Sequence, residues 1–435
     1  MKTVFDPSGE DRRTPTIWLL SGDIMSQLGG GFRQQRWCEY FLDMGHPIRL
    51  FYVPGAYGVT WDDVFTSEEL AAKRASWIAA APPKAGVRDS RAARIARWIK
   101  HSFMIDLFLP STFQLLFRLH RLKRRVPGRV VVLCSSPPFA MALVGRLLKA
   151  VWGDAIVMAL DMRDLWALHS AFPGFRLQKR PVERWVTRGA DIFTTVSTGL
   201  AERFLSAHKA DAIVAYNVAT HIKPVSQEAM QAFTWTDLDA RLHAGSVKLV
   251  YTGSIPDGFY DLDLLLDACQ RFCEVGQDPA KRLQLVFIGA GGELAVRAER
   301  RPLAEDFLVF LPQMSHSRIG QAQTAADVLL FLGYRAGDNQ GQVSIKLFEY
   351  FKRRLPILPT AIKAGSDVDR LLELYCGGTL RVDDAQGLAD ILQHISRRDF
   401  EVLPRASAKD NDAELLSAYA ETARQILNIQ NGPAK

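Results

Sequence analysis

The chain has 435 residues, enough for two or three domains at about 100 to 200 residues each and for a substantial buried core. Hydrophobic residues make up 48 % and charged residues 23 %, which excludes a disordered tail protein, a collagen-like fibre and a disulfide mini-scaffold. The 54 Lys and Arg outnumber the 47 Asp and Glu by seven, too mild an excess over so large a surface to name a partner.

The five cysteines, Cys38, Cys134, Cys269, Cys273 and Cys376, are odd in number and form no C-x-x-C pair, so they read as reduced core residues. Asp6, Glu10 and Asp11 precede any apolar run, unlike a secretory leader, and no apolar stretch approaches the roughly 18 residues of a membrane-spanning helix. The expectation is a cytoplasmic chain.

Short apolar runs, each ending in Gly, Ser or Asp and each followed by a helical pattern, predict buried parallel strands. In chain order they are 16–22, then a glycine-rich loop and a helix around 33–44, 47–53 after Gly45, and 129–136 with a helix from 137 onward. Strands at 155–164, 191–197 and 211–218 follow, with a helix at 198–207. Residues 219–246 break the rhythm with Pro224, Trp235 and mixed polar residues. It restarts at 247–254, with helix 262–275, and continues at 283–292, at 307–313 with helix 315–324, at 326–334 and at 355–360. A last helix covers roughly 412–428. The pattern predicts an α/β fold of two Rossmann-like halves with parallel sheets facing across a cleft, the default ligand site. Residues 1–225 form the first half, 226–246 a linker, 247–405 the second half and 406–435 a terminal helix and tail.

Between Lys84 and Arg129 twelve Lys or Arg face only Asp89 and Asp106. Trp98, Phe103, Phe108, Phe113 and Phe117 are interleaved with them. Basic residues flanking an aromatic-rich, helix-compatible stretch suit an anionic bilayer surface, and a helical excursion with a solvated basic face is the plain alternative. The stretch is too greasy for a nucleic-acid phosphate track.

Three clusters at strand ends carry chemistry. Gly29, Gly30 and Gly31 precede a helix, where backbone N–H groups approach an anion closely. Ser135 and Ser136 with two prolines form a rigid corner, and Asp161, Arg163 and Asp164 end the next strand. A carboxylate there either orients a hydroxyl or accepts a proton, or pairs with arginine to brace the loop. In 341–360, Lys346 and Glu349 lie three apart on one helix face behind a polar loop, 334–342. Such a lysine offsets charge on a leaving diphosphate and such a carboxylate accepts vicinal ribose hydroxyls, or the two form an exposed salt bridge.

Together these blocks resemble the GT-B glycosyltransferases, specifically the retaining family 4 group and its bacterial members that act on N-acetylated sugars in polysaccharide assembly. The resemblance is carried by SSPP at 135–138, DMRDLW at 161–166, VSTGL at 196–200, Tyr216–Asn217, the strand blocks at 250–268 and 285–294, and SIKLFEYFKRRLPIL at 344–358, in the family's order over about 20–400. It implies that Glu349 holds the donor ribose and Lys346 lies near the donor diphosphate. Gly289, Gly291 and Gly292 make room for the nucleotide, Gly253 and Ser254 line the diphosphate pocket, and Gly29 to Gly31 approach from the first half. Asp161, Arg163 and Asp164 face the acceptor or the transferred sugar, with Ser135, Ser136 and Asn217 on the acceptor side. The family's E-x7-E pattern places its first glutamate where this chain has Gly341, and the basic residues many members carry after the G-S turn are replaced by IPDGFY, so Arg335 or Lys346 supplies that charge.

Asp237–Asp239, Asp261–Asp263 and Asp367–Asp369 match the D-x-D metal pattern of another transferase fold, but read as helix starts, and no metal is implied. The resulting expectation is a retaining hexosyl- or N-acetylhexosaminyltransferase. It moves sugar from a UDP- or GDP-sugar to a lipid-linked saccharide at the cytoplasmic membrane face, with no further cofactor and no nucleic-acid partner. The alternatives are a catalytically inactive relative that binds nucleotide sugar or serves as a scaffold, and a nucleotide-sugar 2-epimerase.

Overall fold

The computed structural model describes residues 16–22, 29–52, 61–65, 109–167, 176–219, 222, 224–255, 258–334, 341–407 and 411–432. The first sheet contains β1 (Ile17–Ser21), β2 (Ile48–Tyr52), β3 (Trp61–Phe65), β4 (Val130–Ser136), β5 (Ile156–Met162), β6 (Ile192–Thr195) and β7 (Ile213–Val214). Their spatial order is β3-β2-β1-β4-β5-β6-β7, and only the β2–β3 pair is antiparallel. The second sheet, β8 (Val247–Thr252), β9 (Leu283–Ile288), β10 (Leu308–Leu311), β11 (Val328–Leu332) and β12 (Ile357–Thr360), is ordered β10-β9-β8-β11-β12 and wholly parallel. The two-sheet α/β architecture expected from the strand–helix rhythm is therefore the one found.

Helices cover both faces of each sheet, which is why runs such as VVVLCSS and IVMALDM are buried at every position instead of alternating. Helices Leu109–Lys123, Phe139–Trp152, Arg176–Thr187 and Thr198–His208 pack on one face of the first sheet. Helix Gly29–Asp43 covers the other face together with the last helix of the chain, Asp412–Asn431. In both sheets the strand order reverses beside the first strand, between β1 and β4 and between β8 and β11. The crevice at such a reversal is where open α/β sheets bind ligands.

Several expectations are corrected. The antiparallel edge strand β3 was not foreseen, because Asp62 and Asp63 at its centre are poor strand formers. Gly29 to Gly31 form the first turn of their helix rather than a loop ahead of it. The segment read as a linker contains helix Gln227–Gln231 and buries Phe233 and Leu242 against the second sheet. Of the D-x-D pairs, Asp261 does cap its helix, accepting from Leu264 N–H, whereas Asp237–Asp239 lies in a turn where Asp239 pairs with Arg241. Asp367 is already inside its helix, which Ser366 caps.

A buried ion pair fixes the last helix to the first half. Arg33 donates from Nε to both carboxylate oxygens of Asp161 at 3.0 Å and from Nη2 to Oδ1 at 2.6 Å, while Nη1 reaches the Ala215 carbonyl and the Tyr419 hydroxyl. Thr194 donates a further hydrogen bond to Asp161 at 2.7 Å. Burial alone would push the Asp161 carboxyl up, but the Arg33 guanidinium outweighs it and holds the group below the usual carboxylate range. Asp161 is therefore a structural brace rather than a residue facing the acceptor, and its partner is Arg33 rather than the neighbouring Arg163. Arg33→Ala leaves this carboxylate buried without its counter-charge, so urea unfolding is expected to show a loss of about 3–5 kcal/mol. A loss below about 1 kcal/mol would contradict the brace.

Candidate functional site

The second half brings Lys346, Glu349, Gly253, Ser254 and Gly289 together at the reversal point between β8 and β11. Ser344 caps helix Ile345–Arg353 and accepts from the Lys346 N–H, so Lys346 lies in the first turn, where the helix end favours an anion. Its ammonium donates to the Tyr251 hydroxyl at 2.6 Å and to the Ser254 carbonyl at 3.4 Å, and sits 4.5 Å from the Tyr251 ring centroid. Gly253 has φ +106, and a side chain there would come within 2.8 Å of Lys346 Nζ. Gly289, at φ +77, abuts Gly253, so the two glycine turns make one backbone-lined floor. Gly291 has nothing near its missing side chain, and Gly292 precedes the short helix Glu293–Ala298.

One turn after Lys346, the buried Glu349 accepts from Gln323 Nε2 at 3.2 Å. Gln323 Nε2 also donates to Thr252 Oγ1, and Arg353 Nε donates to Gln323 Oε1. Glu349 is thereby held in a polar network rather than in the exposed salt bridge that was the plain alternative. Burial pushes the Lys346 ammonium down to about 8, with the attraction of Glu349 working against that fall.

Three tyrosines complete this wall, and the sequence reading did not pick them out. Tyr260 and Tyr334 stack with ring centroids 5.3 Å apart, and the Tyr251 hydroxyl donates to the Ser254 carbonyl at 3.0 Å. Burial pushes the Tyr334 phenol well up, helped by Tyr260 and by the carboxylate of Asp164 from the first half. Asp164 itself is half-buried. Arg163, half-buried beside it, donates to the Pro137 carbonyl from its side chain and to the Ser136 carbonyl from its backbone.

The remaining first-half candidates divide. Ser135 is buried, accepting from Gln34, which in turn accepts from Ser21, and Ser136 is buried as well, so neither hydroxyl faces the cleft. The helix headed by Gly29 to Gly31 approaches the second half, with Phe32 edge-on to His316 at 6.0 Å. Asn217 is half-buried after Tyr216. Arg335 lies outside the described residues, as does 84–108 of the basic excursion.

The halves meet at a second carboxylate. Asp367, from the second half, accepts from the N–H groups of Thr198 and Gly199 at 2.9 and 2.8 Å and from the Tyr216 hydroxyl at 2.7 Å. Ser197 donates to the Gly341 carbonyl. Gly341, at φ +88, lies so close to Gly199 that a Cβ would stand 2.6 Å from the Gly199 carbonyl carbon. The residue where the family pattern expects glutamate is thus a backbone contact between the halves. Beside it opens a cavity of about 660 Å³ bordered by Gly199, Tyr334, Gly341, Lys363, Asp367 and Arg381, among others.

No protein-family profile matches the chain, and no curated protein sequence matches it. Solved structures do. The alpha,alpha-trehalose-phosphate synthase (UDP-forming) of Burkholderia vietnamiensis superposes with a TM-score of 0.57 at 13 % identity, over 96 % of this chain and 99 % of that one. The sucrose-phosphate synthase of Thermosynechococcus elongatus gives 0.54 at 14 % identity, over 95 % and 96 %. A glycosyltransferase of Rickettsia africae gives 0.50 at 12 % identity, over 95 % of each chain. The fold is that of the GT-B glycosyltransferases.

Two outcomes follow from this geometry. Because Lys346 titrates near 8, pyrophosphate binding followed by calorimetry should be tightest below pH 8 and weaken several-fold as pH rises past it, and Lys346→Met should flatten that profile. A wild-type profile that is flat from pH 7 to about 9 would contradict the assignment. Installing the family's glutamate as Gly341→Glu should not improve the site but separate the halves, seen as a larger radius of gyration in solution scattering and a lowered Tm. An unchanged radius and Tm would show that the Gly199–Gly341 approach does not constrain the chain.

Proposed function

We propose that the chain is a retaining glycosyltransferase that moves a hexosyl or N-acetylhexosaminyl group from a UDP- or GDP-sugar to an acceptor hydroxyl. The observation that carries the reading is the second-half wall, where Lys346, a helix N-terminus and two glycine turns converge on one floor with Glu349 one turn behind. The ammonium and helix end balance a diphosphate, the side-chain-free floor admits it closely, and the carboxylate accepts the ribose hydroxyls.

In this mechanism the anomeric carbon–oxygen bond to the diphosphate breaks while the acceptor oxygen bonds the same face of the sugar. The acceptor proton passes to the departing phosphate oxygen, so no separate base is required. Lys346 offsets the charge that develops on the diphosphate. Arg163 and Asp164 take the acceptor side, and apposition of the halves excludes water that would hydrolyse the donor. The interleaved basic and aromatic stretch at 84–129 favours a lipid-linked saccharide as acceptor, at the inner membrane face, within cell-surface polysaccharide assembly.

Calorimetric titration of the full chain with UDP, GDP, ADP and TDP tests the donor site. One nucleotide is expected to bind at micromolar concentration and at least tenfold more weakly to Glu349→Ala, whose folding is checked by circular dichroism. Failure of all four to bind, or equal binding by the variant, overturns the donor assignment.

A further inference from the structure

A second cationic surface lies on the helix layer of the first half. Helices Phe139–Trp152 and Arg176–Thr187 border a hollow of about 350 Å³ lined by Arg146, Pro181, Arg184, Trp185, Arg188 and Gly189, with no carboxylate among them. Arg146 places its guanidinium 4.6 Å from the Trp185 ring centroid and donates from Nε to the Trp185 carbonyl at 3.2 Å. A side chain at position 189 would run into that guanidinium, so glycine leaves it room. The hollow thus presents the guanidinium of Arg146, fixed against the Trp185 indole, beside the exposed Arg184 and Arg188.

The same layer carries an apolar counterpart. Phe113 and Phe117, one helical turn apart, are 62 % and 58 % exposed, and Arg121 lies 4.8 Å from the Phe117 ring. Val151 and Leu205 are exposed on the neighbouring helices. Among the described residues the exposed Phe and Trp side chains are Phe113, Phe117 and Trp185, all on helices covering one face of the first sheet. Among the described residues of the second half, the exposed large hydrophobic side chains are the aliphatic Val275, Val296, Leu374 and Val402. Aromatic rings with arginines stacked on them are wet at one end and apolar at the other, the character of groups that settle at a bilayer interface. Guanidinium forks match phosphate oxygens in pairs, and the exposed Arg118, Arg121, Arg124 and Arg125 lie on or just after helix Leu109–Lys123 of this layer.

We propose that the outer face of this helix layer docks on an anionic phospholipid bilayer. Phe113, Phe117 and Trp185 enter the interface, and Arg146, Arg184 and Arg188 hold lipid phosphate groups. The inference deepens the proposed action on a lipid-linked acceptor and rests on that reading for its purpose. Helix Arg176–Thr187 also joins this face to the cleft. Its buried Glu183 accepts from the N–H groups of Trp166 and Ala167 at 2.7 and 3.1 Å, fixing the backbone just after Asp164.

The test is co-sedimentation of the full chain with vesicles of phosphatidylcholine alone or enriched in phosphatidylglycerol, alongside nucleotide titration of each sample. Wild type is expected on the phosphatidylglycerol vesicles, released by high salt, and absent from phosphatidylcholine. The double variant Arg184→Glu/Arg188→Glu should bind those vesicles at least tenfold more weakly, as loss of roughly 1 kcal/mol per basic residue near an anionic surface implies, and Phe113→Ser/Phe117→Ser should also weaken binding by removing the apolar groups that enter the interface, while nucleotide binding stays intact in both. Equal binding of wild type to both vesicles, binding to neither, or wild-type binding by both variants overturns the proposal. Vesicle binding that persists while no nucleotide binds would instead overturn the donor reading and leave the docking face standing.

Discussion

A helix N-terminus leaves backbone N–H groups without partners, and the helix Thr198–His208 satisfies them from two sources. Its own Ser197 accepts from Leu200, whereas Thr198 and Gly199 turn to Asp367, a carboxylate from the other half of the molecule. With the Tyr216 hydroxyl, three donors of the first half converge on one charged acceptor. Hydrogen bonds to a charged group are worth about 1.5–3 kcal/mol each, and the helix dipole adds to them. The backbones can approach that closely only where neither carries a side chain, at Gly199 and Gly341. Gly341 in turn begins the segment leading to Ser344, Lys346 and Glu349. The clasp therefore sets where the wall carrying Lys346 and Glu349 stands relative to the first half, and the cleft inherits its width from it.

This explains a departure that motif comparison alone cannot. At the position where E-x7-E enzymes of this fold are expected to carry glutamate, the chain carries a residue in the left-handed region, pressed against another glycine. A glutamate there would need both the space of Gly199 and a backbone conformation that side chains disfavour. On the proposed reading, donor-sugar contacts come instead from elsewhere on the rim, where Tyr334 stacks on Tyr260.

Much of the fold was legible because buried parallel strands write themselves as uninterrupted apolar runs, as in VVVLCSS and VKLVYT. Lys346 and Glu349 were legible because three-residue helical spacing puts them on one face. Asp161 was ambiguous for a physical reason. A carboxylate at a strand end reads the same whether it faces a cleft or an arginine from a helix 128 residues earlier, and only the packing reveals Arg33. Nor could periodicity reveal that the last helix would cross back to the first sheet, since its apolar face fits either half. The tyrosine wall escaped because its members come from three separate loops and strands with no spacing in common.

Lys346 shows what that wall does. An ammonium surrounded by Tyr251 and the Ser254 carbonyl has neutral acceptors and an aromatic face, and burial depresses its titration toward 8. Glu349 pulls the other way but is engaged with Gln323, so its charge is shared with the polar network rather than spent on the lysine. The lysine therefore stays positive at neutral pH while remaining incompletely neutralised. An anion that brings its own charge to the helix end restores the missing stabilisation and raises the lysine's affinity for its proton. In the proposed transfer that differential would grow as negative charge gathers on a departing diphosphate, so the same burial that makes the resting ammonium costly would make it more effective when the bond breaks.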